Sequence, residues 1–272
     1  MKNKISCSLS ALVSLAGSAF AANSVTYDFN SSVANDYFEG GGVAGWSQDT
    51  QNPSAFGNQF PLAYVAATNF QNGEGLSNSA HLGTQRANTP DNADTTLSGD
   101  LSSLNPINNM MNVSFNMAIL DDKTDSYEGR DNFNVALTDA SGAQAATIGL
   151  SPNAGSNDKW DVSVGVNGST STTGYTISAQ SSYSFAIESR DNTTRFLLSG
   201  PGVSQQLLSS IDANVTSLNS VTGITFEHDP RSPVGTSAHT LAFDNVSVQI
   251  PEPSSSLLMV LSAGLIAIRR RR

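Results

Sequence analysis

Residues 240–249 read Thr-Leu-Ala-Phe-Asp-Asn-Val-Ser-Val-Gln, a short run in which apolar and polar side chains largely alternate. Alternation with a period of two is typical of a β-strand that buries one face. Similar alternating or apolar runs, separated by turn residues, cover residues 24–29, 112–120, 132–138, 145–150, 160–166, 182–189, 194–199 and 221–226. No window between the two ends shows a sustained apolar stripe at helical spacing, so the pattern predicts an all-β, antiparallel sandwich.

Turn residues with a defined chemical role separate several of these runs. Residues 139–142 read Asp-Ala-Ser-Gly between two runs, and Asn167-Gly168 directly follows another. Glycine adopts the positive φ that tight hairpin turns require, and Asp and Asn hydrogen-bond to the nearby backbone. Both segments are therefore predicted to close β-hairpins. Residues 40–108 are rich in Gly, Asn, Pro and Ser and are predicted to hold long loops and a few short strands.

The first 21 residues have the parts of a secretory signal peptide. Two lysines precede an apolar stretch at 5–20, and an Ala-Phe-Ala step places small residues before a cleavage between Ala21 and Ala22. This pattern predicts export by the Sec machinery and removal of the segment by signal peptidase. Cys7, the single cysteine, lies in that segment, so the rest of the chain has no thiol for a disulfide, a metal or a nucleophile.

The last 22 residues, 251–272, combine three features. They are Pro251-Glu252-Pro253, an apolar run at 257–268, and a terminal cluster of Arg269, Arg270, Arg271 and Arg272. A helix needs roughly 20 apolar residues to cross a bilayer comfortably, so this run is short for a permanent anchor. The arginines would hold the end of the tail on the cytoplasmic side as a stop-transfer signal. An ordinary C-terminal membrane anchor is the alternative.

Together these features resemble the PEP-CTERM sorting signal. The resemblance implies that the tail forms a short transmembrane helix, held in the inner membrane until an exosortase-type enzyme processes it near Pro251, Glu252 and Pro253. It also implies that the product reaches the cell surface or the extracellular matrix, often in bacteria that make an exopolysaccharide. Exosortase and exopolysaccharide are therefore the expected partners.

Residues 22–250 are predicted to form one extracellular domain, with a split near 121–131 as the alternative. Three segments resemble the jelly-roll sandwiches of concanavalin-like and carbohydrate-binding-module domains: Leu241-Ala-Phe-Asp-Asn-Val-Ser-Val248, Tyr27-Asp-Phe-Asn30 with Gly45-Trp46 downstream, and Tyr183-Ser-Phe-Ala-Ile187. The resemblance implies an antiparallel jelly-roll-like β-sandwich whose first and last strands lie close together. It points to carbohydrate as the ligand class and assigns no active-site residue.

The domain is strongly acidic. Between the two ends remain seven basic and 22 acidic residues, a net charge of −15. A charge of this size repels nucleic acid and anionic lipid and favours solubility and cation binding. Nucleic acid is therefore excluded as a partner.

Two groups of acidic residues are candidate Ca²⁺ sites. One is the segment 121–131, which contains Asp121, Asp122, Asp125, Glu128 and Asp131. Oxygen ligands on a loop suit Ca²⁺, but the spacing departs from the EF-hand, and a solvated acidic hairpin tip is the alternative. The other group is Asp28 with Asp244, on the strands expected to be neighbours where the domain closes; two polar residues facing water are the alternative there.

Trp46 lies after a Gly-rich stretch and is a candidate ligand platform. The C–H faces of sugar rings pack on aromatic planes as apolar surface does, so an exposed tryptophan on a loop suits a carbohydrate. The hydrophobic core is the alternative position for its ring.

The sequence offers little for catalysis. Glu188, an acid inside a predicted strand, lacks the alternating acidic partners that hydrolases of the concanavalin-like fold carry on one strand. The three histidines are widely separated, without a paired metal-binding spacing, and no G-x-S-x-G elbow occurs. A non-catalytic surface or matrix module that associates with exopolysaccharide is therefore predicted. The alternatives are a structural or adhesive module without a sugar site and a secreted glycoside hydrolase.

Overall fold

A computed structural model describes residues 23–32, 38, 43–50, 63–66, 78–83, 95–104, 110–121, 130–190, 193–212, 220–229 and 239–250. These residues form strands β1 (Asn23–Tyr27), β2 (Trp46–Thr50), β3 (Ala63–Ala66), β4 (Ser79–Leu82), β5 (Thr95–Asp100), β6 (Met111–Asp121), β7 (Asn132–Asp139), β8 (Gln144–Pro152), β9 (Lys159–Val166), β10 (Ser169–Ser178), β11 (Tyr183–Arg190), β12 (Thr193–Gly200), β13 (Val203–Asp212), β14 (Val221–Asp229) and β15 (His239–Ile250), with a 3₁₀ turn at Phe29–Ser31.

The strands make two antiparallel sheets. The eight-stranded sheet has the order β13-β12-β11-β6-β15-β4-β3, with β1 also paired to β15, and the seven-stranded sheet has the order β10-β9-β8-β7-β14-β5-β2. Strand β1 pairs with β15 from Asn23 opposite Ile250 to Tyr27 opposite Val246, so the first and last strands are neighbours as predicted. Each sheet contains strands from both sides of residues 121–131, so a domain boundary at that segment would divide both sheets.

The core lies between the two sheets because alternate residues of each strand point inward. Phe226 of the seven-stranded sheet stacks on Phe243 of the eight-stranded sheet, with ring centroids 3.7 Å apart. Phe115 meets Phe226 edge-on at 5.4 Å, and all three rings are essentially inaccessible to solvent. Apolar burial is the dominant favourable term in folding, and these interlocking aromatic rings join one sheet to the other.

Two predicted hairpins are confirmed. The backbone N–H of Gly142 donates to the carbonyl of Asp139, whose side chain accepts from the N–H groups of Ser141 and Ala143. Gly142 has φ +82°, the left-handed conformation that glycine adopts without steric cost. The turn at Asn167 and Gly168, with φ values of +52° and +77°, joins β9 to β10 in the same manner.

A buried polar cluster connects the sheets at one end of the sandwich. Oδ2 of Asp131 hydrogen-bonds with Nε2 of His228, on β14, and with Nδ1 of His239, on β15, at 3.0 and 3.1 Å. Burial acts to raise the pKa of Asp131, but the hydrogen bonds and charges of the two imidazoles lower it to about 2. Asp131 was predicted as a Ca²⁺ ligand in the loop segment 121–131, and the structure corrects that prediction because its carboxylate is buried and hydrogen-bonded to the two imidazoles.

The neighbouring Arg130 completes this end of the sandwich. Its guanidinium is fully buried, lies 4.7 Å from the centre of the Trp160 ring and donates to the carbonyls of Lys159, Asn153 and Ser156. The indole N–H of Trp160 donates to the carbonyl of Asp131 at 3.0 Å. The burial of a charge costs less free energy when the group is hydrogen-bonded, as this guanidinium is to three carbonyls.

Both ends of the chain lie outside the described residues. The predicted signal peptide with its cleavage at Ala21 and Ala22, the motif Pro251, Glu252 and Pro253, and the arginine cluster at 269–272 therefore stay predictions. Within the described part of the chain, no helix has the length and apolar character to span a membrane.

Candidate functional site

The outer face of the seven-stranded sheet, called the polar face below, presents small polar side chains on every strand. Apolar residues such as Val135 and Phe226 point into the core, so the residues between them point away from it. On β7 and β14 this places Asn134, Ala136, Thr225 and Glu227 on the outer face.

The register of the sheet aligns these side chains in two rows that cross all seven strands. One row consists of Asp49, Thr96, Glu227, Asn134, Gly149, Ser163 and Thr172. The next row consists of Ser47, Ser98, Thr225, Ala136, Thr147, Gly165 and Thr170. Because neighbouring strands lie about 4.8 Å apart, each row is roughly 29 Å long.

Exposure along the second row falls from the rim towards the middle. Ser47 and Thr170, at its two ends, are exposed. Thr225, Ala136 and Thr147, in the middle, are 7%, 0% and 6% exposed. The middle of this row is therefore closed to solvent, and the accessible polar groups belong to the first row, whose residues are all at least partly exposed.

Two glycines on this face lie against the hydroxyl groups of neighbouring strands. A Cβ atom added at Gly149 would lie 2.6 Å from Oγ of Ser163, and one at Gly165 would lie 2.6 Å from Oγ1 of Thr147. Real Cβ contacts of this length essentially do not occur, so neither position accepts a side chain without local movement. The hydroxyls of Ser163 and Thr147 occupy the space that those side chains would need.

Amide groups hold three carboxylates on or beside the polar face. Nδ2 of Asn134 donates to Oε2 of Glu227 at 2.8 Å, and Nδ2 of Asn132 donates to Oδ2 of Asp229 at 3.2 Å. Nδ2 of Asn153, in the loop after β8, donates to Oδ1 of Asp161 at 2.6 Å. Each bond fixes the orientation of a carboxylate and leaves its other oxygen for a ligand, because a carboxylate accepts through two oxygens.

The face can therefore bind hydroxyl-rich ligands by hydrogen bonding along its length. Hydroxyl groups both donate and accept, amides donate and accept through separate atoms, and carboxylates accept. No aromatic side chain stands on the described part of this face, so ring stacking contributes nothing to it there.

Comparisons with other proteins identify the fold. No protein-family model matches this sequence, and no curated protein sequence matches it significantly. Among solved structures, the CBM2 module of the evolved Dit protein of Lactobacillus casei BL23 phage J-1 matches with a TM-score of 0.52 at 14% identity, over 85% of this chain and 99% of that one. The winged bean acidic lectin, solved in complex with methyl-α-D-galactose, has a TM-score of 0.50 at 12% identity, over 84% and 98%.

The fold is a jelly roll. A carbohydrate-binding module and a legume lectin share it, which confirms the predicted all-β, antiparallel, jelly-roll-like architecture. A GH131 β-glucanase catalytic domain from Podospora anserina also matches, with a TM-score of 0.43 at 14% identity over 65% of this chain and 73% of that one. A similarity of that size carries no conclusion about activity.

Trp46 is a core residue, and its prediction as a ligand platform is wrong. The side chain is 5% exposed. Its ring packs against four phenylalanines and one tyrosine at centroid distances of 5.1 to 6.1 Å: Tyr27, Phe29, Phe38, Phe226 and Phe243. A ring enclosed in this way has no face for a sugar.

The structure brings Asp28 and Asp244 together beside the β1–β15 closure. Oδ1 of Asp28 accepts from the N–H of Asn30 at the start of the 3₁₀ turn, and Asp244 lies at a bulge where Asn245 has φ +53°. Burial raises the pKa of Asp244, the N–H groups of Asn245 and Phe29 act against this rise, and the nearby charge of Asp28 adds to it. Two adjacent carboxylates, one of them buried, suit a cation, and Ca²⁺ here stays a prediction.

Most of the other predicted Ca²⁺ site lies outside the described residues. Asp122, Asp125 and Glu128 are not described, and of Asp121 only the backbone, at the end of β6, is described. Among the described residues, no group of three or more acidic or histidine side chains is arranged to hold a metal ion. Ca²⁺ binding at this segment therefore stays a prediction, except at Asp131, whose carboxylate is hydrogen-bonded to His228 and His239.

The sequence reasoning missed two features of the structure. All three histidines, His81, His228 and His239, lie in strands and are at most 2% exposed, which their wide separation in the sequence did not indicate. The polar face was also missed, although alternating Asn-Phe-Asn at 132–134 already showed polar residues opposite core ones. Its rows depend on the order of seven strands, which no single segment reveals.

Proposed function

We propose that this protein is an exported, non-catalytic carbohydrate-binding module whose polar face binds an extended polysaccharide. The observation that carries this proposal is the row of Ser, Thr, Asn, Gly and carboxylate residues, all at least partly exposed, that crosses all seven strands from Asp49 to Thr172. The jelly-roll fold, shared with a carbohydrate-binding module and a lectin, supports the ligand class.

The shape of the face favours a long chain over a single sugar. A row roughly 29 Å long spans several sugar residues, and its small side chains let a polymer lie close to the sheet. Hydroxyl and amide groups spaced at each strand would bind successive residues of such a chain. Many weak contacts of this kind give useful affinity only when they act together along a polymer.

Hydrolysis is the alternative to binding, because Glu227 and Asp229 alternate on β14 and both point outward. Two residues along a strand separate their Cα atoms by about 6.6 Å, a spacing comparable with the roughly 5 to 9.5 Å between paired glycosidase carboxyl groups. Asparagine amides hold both carboxylates as hydrogen-bond acceptors, an arrangement that suits the binding of sugar hydroxyl groups, and binding is the role proposed here.

The destination of the module follows from the ends of the chain. We infer that an exosortase-type enzyme processes the tail near Pro251, Glu252 and Pro253 after Sec-dependent export, and that the domain then resides at the cell surface or in an exopolysaccharide matrix. Fractionation of cells that produce the protein, with and without a Glu252→Ala substitution, tests this route. The variant should accumulate in the inner membrane if the motif directs processing.

The binding proposal is tested by a glycan array with the purified protein and two matched variants. Asn134→Ala removes an amide from the polar face, and Asn112→Ala removes one from the outer face of the eight-stranded sheet. We expect binding to extended polysaccharides that Asn134→Ala weakens and Asn112→Ala leaves unchanged. A blank array with folded protein would contradict the proposal and leave a structural or adhesive module. An equal loss of glycan binding in both variants would show that the binding site is not on the polar face.

A further inference from the structure

The charges of the sandwich are distributed unequally between its two outer faces. On the polar face, the described charged side chains are Asp49, Asp100, Asp161, Glu227, Asp229 and Lys159. On the side of the other sheet, the described and accessible charged side chains are Glu188, Arg190, Arg195 and, directly after β1, Asp28. The first set is acidic by four charges and the second is neutral, so among the residues that the structure describes the acidity is concentrated on the polar face.

The carboxylates also extend across the polar face from strand to strand. Asp49 and Asp100 are exposed near one end of the face, and Asp161 is partly exposed towards the other end. Glu227 and Asp229 lie between them on β14, both oriented by asparagine amides. A polymer lying along the rows would therefore meet negative charge at several of its residues.

This distribution discriminates between classes of polysaccharide. Like charges brought together on binding cost free energy, so polymers of uronic acids or sulfated sugars are disfavoured here. A neutral glycan would gain only hydrogen bonds. A polymer with free amino groups would gain both hydrogen bonds and ion pairs, because an ammonium group donates to carboxylates.

We propose that the polar face prefers a cationic amino-sugar polymer, one whose residues carry free amino groups. This inference rests on the proposed carbohydrate-binding function and names the class of its ligand. Trp46 and the other core aromatics take no part, since the face offers charge and hydrogen bonds in place of ring stacking.

The experiment compares three hexasaccharides by calorimetry with the full-length protein at about pH 6: β-1,4-linked glucosamine, its fully N-acetylated form and a hexuronate. We expect the glucosamine hexamer to bind about tenfold more tightly than the acetylated form at low salt. This advantage should shrink as salt rises from about 0.05 to 0.5 M, because the Debye length then falls below the spacing of the charges. The hexuronate should not bind.

Two variants, each with one charge removed, distinguish an effect of the polar face from an effect of the net charge of the protein. Glu227→Gln removes a carboxylate from the polar face, and Glu188→Gln removes one from the opposite face. Exposed or half-exposed ion pairs are weak, so Glu227→Gln should weaken glucosamine binding by about threefold. Glu188→Gln should leave it unchanged. Thermal melts of both variants verify that each one folds.

Three results would overturn this inference. They are binding of the acetylated hexamer as tightly as the amine, measurable binding of the hexuronate, and equal losses in both variants, which would indicate unspecific attraction to an acidic protein. Equal binding of amine and acetylated hexamers that Asn134→Ala abolishes would contradict the charge preference while the proposed function stands. An absence of binding to every saccharide would contradict both.

Discussion

Among the titratable residues, His81 is an imidazole that the fold keeps neutral. It is 2% exposed on the side of β4 that faces away from the main core. Burial lowers its pKa to about 4, because an imidazolium ion loses its hydration there. A histidine in an unfolded chain has a pKa near 6.5. The unfolded protein therefore binds a proton at pH values where the folded protein does not.

From this difference we predict a loss of stability in mild acid. His81 should contribute about 3 kcal/mol to the free energy of unfolding. This contribution should be fully present above about pH 6.5 and should disappear as the pH falls to about 4. Urea unfolding of the wild type and of His81→Gln at several pH values measures this effect. The stability difference between the two proteins should fall by that amount between pH 7 and pH 4. A difference that does not change with pH would refute the prediction.

Asp28 and Asp244 provide a direct test of the predicted Ca²⁺ site. If the ion binds the folded protein only, millimolar Ca²⁺ at about 100 times its dissociation constant should stabilise it by about 2.7 kcal/mol. In a domain of this size the melting temperature should then rise by roughly 5 to 10 °C. Asp244→Asn should abolish the rise, whereas Asp49→Asn, on the polar face, should retain it. A melting temperature unaffected by both Ca²⁺ and EDTA would leave this pair without an ion.

At the scale of single strands, Gly165 on β9 shows how closely the polar face is packed. A Cβ atom there would lie 2.6 Å from Oγ1 of Thr147 and 2.7 Å from the carbonyl of Ser169. We predict that Gly165→Ala destabilises the protein by about 1 to 3 kcal/mol, because the backbone atom cannot rotate away. Gly155→Ala, whose Cβ would meet only a side-chain oxygen of Asn153 at 3.3 Å, is the matched control. Urea midpoints of the two variants measure the difference, and equal values would contradict the prediction.

The strands that the sequence predicted are those with an alternating or apolar run of residues. Strands β1, β6, β7, β8, β9, β11, β12, β14 and β15 all overlap predicted runs. Strand β4, Ser79–Leu82, was missed because it is only four residues long and lies in the Gly- and Asn-rich stretch at 40–108. Strand β10 was missed because Ser169–Thr172 are all exposed at the edge of the sheet and carry hydroxyls alone.

At the scale of the whole molecule, the candidate site depends on the sheet order. Its rows join Asp49, on β2, to Thr172, on β10, through five strands that are not in sequence order. Local periodicity shows which side chains share one face of a strand, but not which strands are neighbours. The sequence could therefore indicate a sandwich, whereas the polar face required the pairing of distant strands.

Trp46 connects the two sheets, and this role gives a prediction that separates folding from binding. Its ring contacts Phe226 on the seven-stranded sheet and Phe243 on the eight-stranded sheet. Trp46→Ala should therefore cost about 3 to 5 kcal/mol of stability, because removal of a buried indole leaves a cavity between the sheets. Trp46→Phe, which keeps an aromatic ring in the core, should cost less.

The affinity of the same variants decides whether Trp46 also contacts a ligand. At a temperature where Trp46→Ala remains folded, its affinity for any glycan that the wild type binds should be unchanged, since the indole lies beneath the sheet and the polar face lies above it. Calorimetric titration beside a thermal melt measures both quantities on one sample. A folded Trp46→Ala protein that has lost glycan binding would show that the sugar reaches the interior of the sandwich, and it would move the site from the polar face to the closure beside β1.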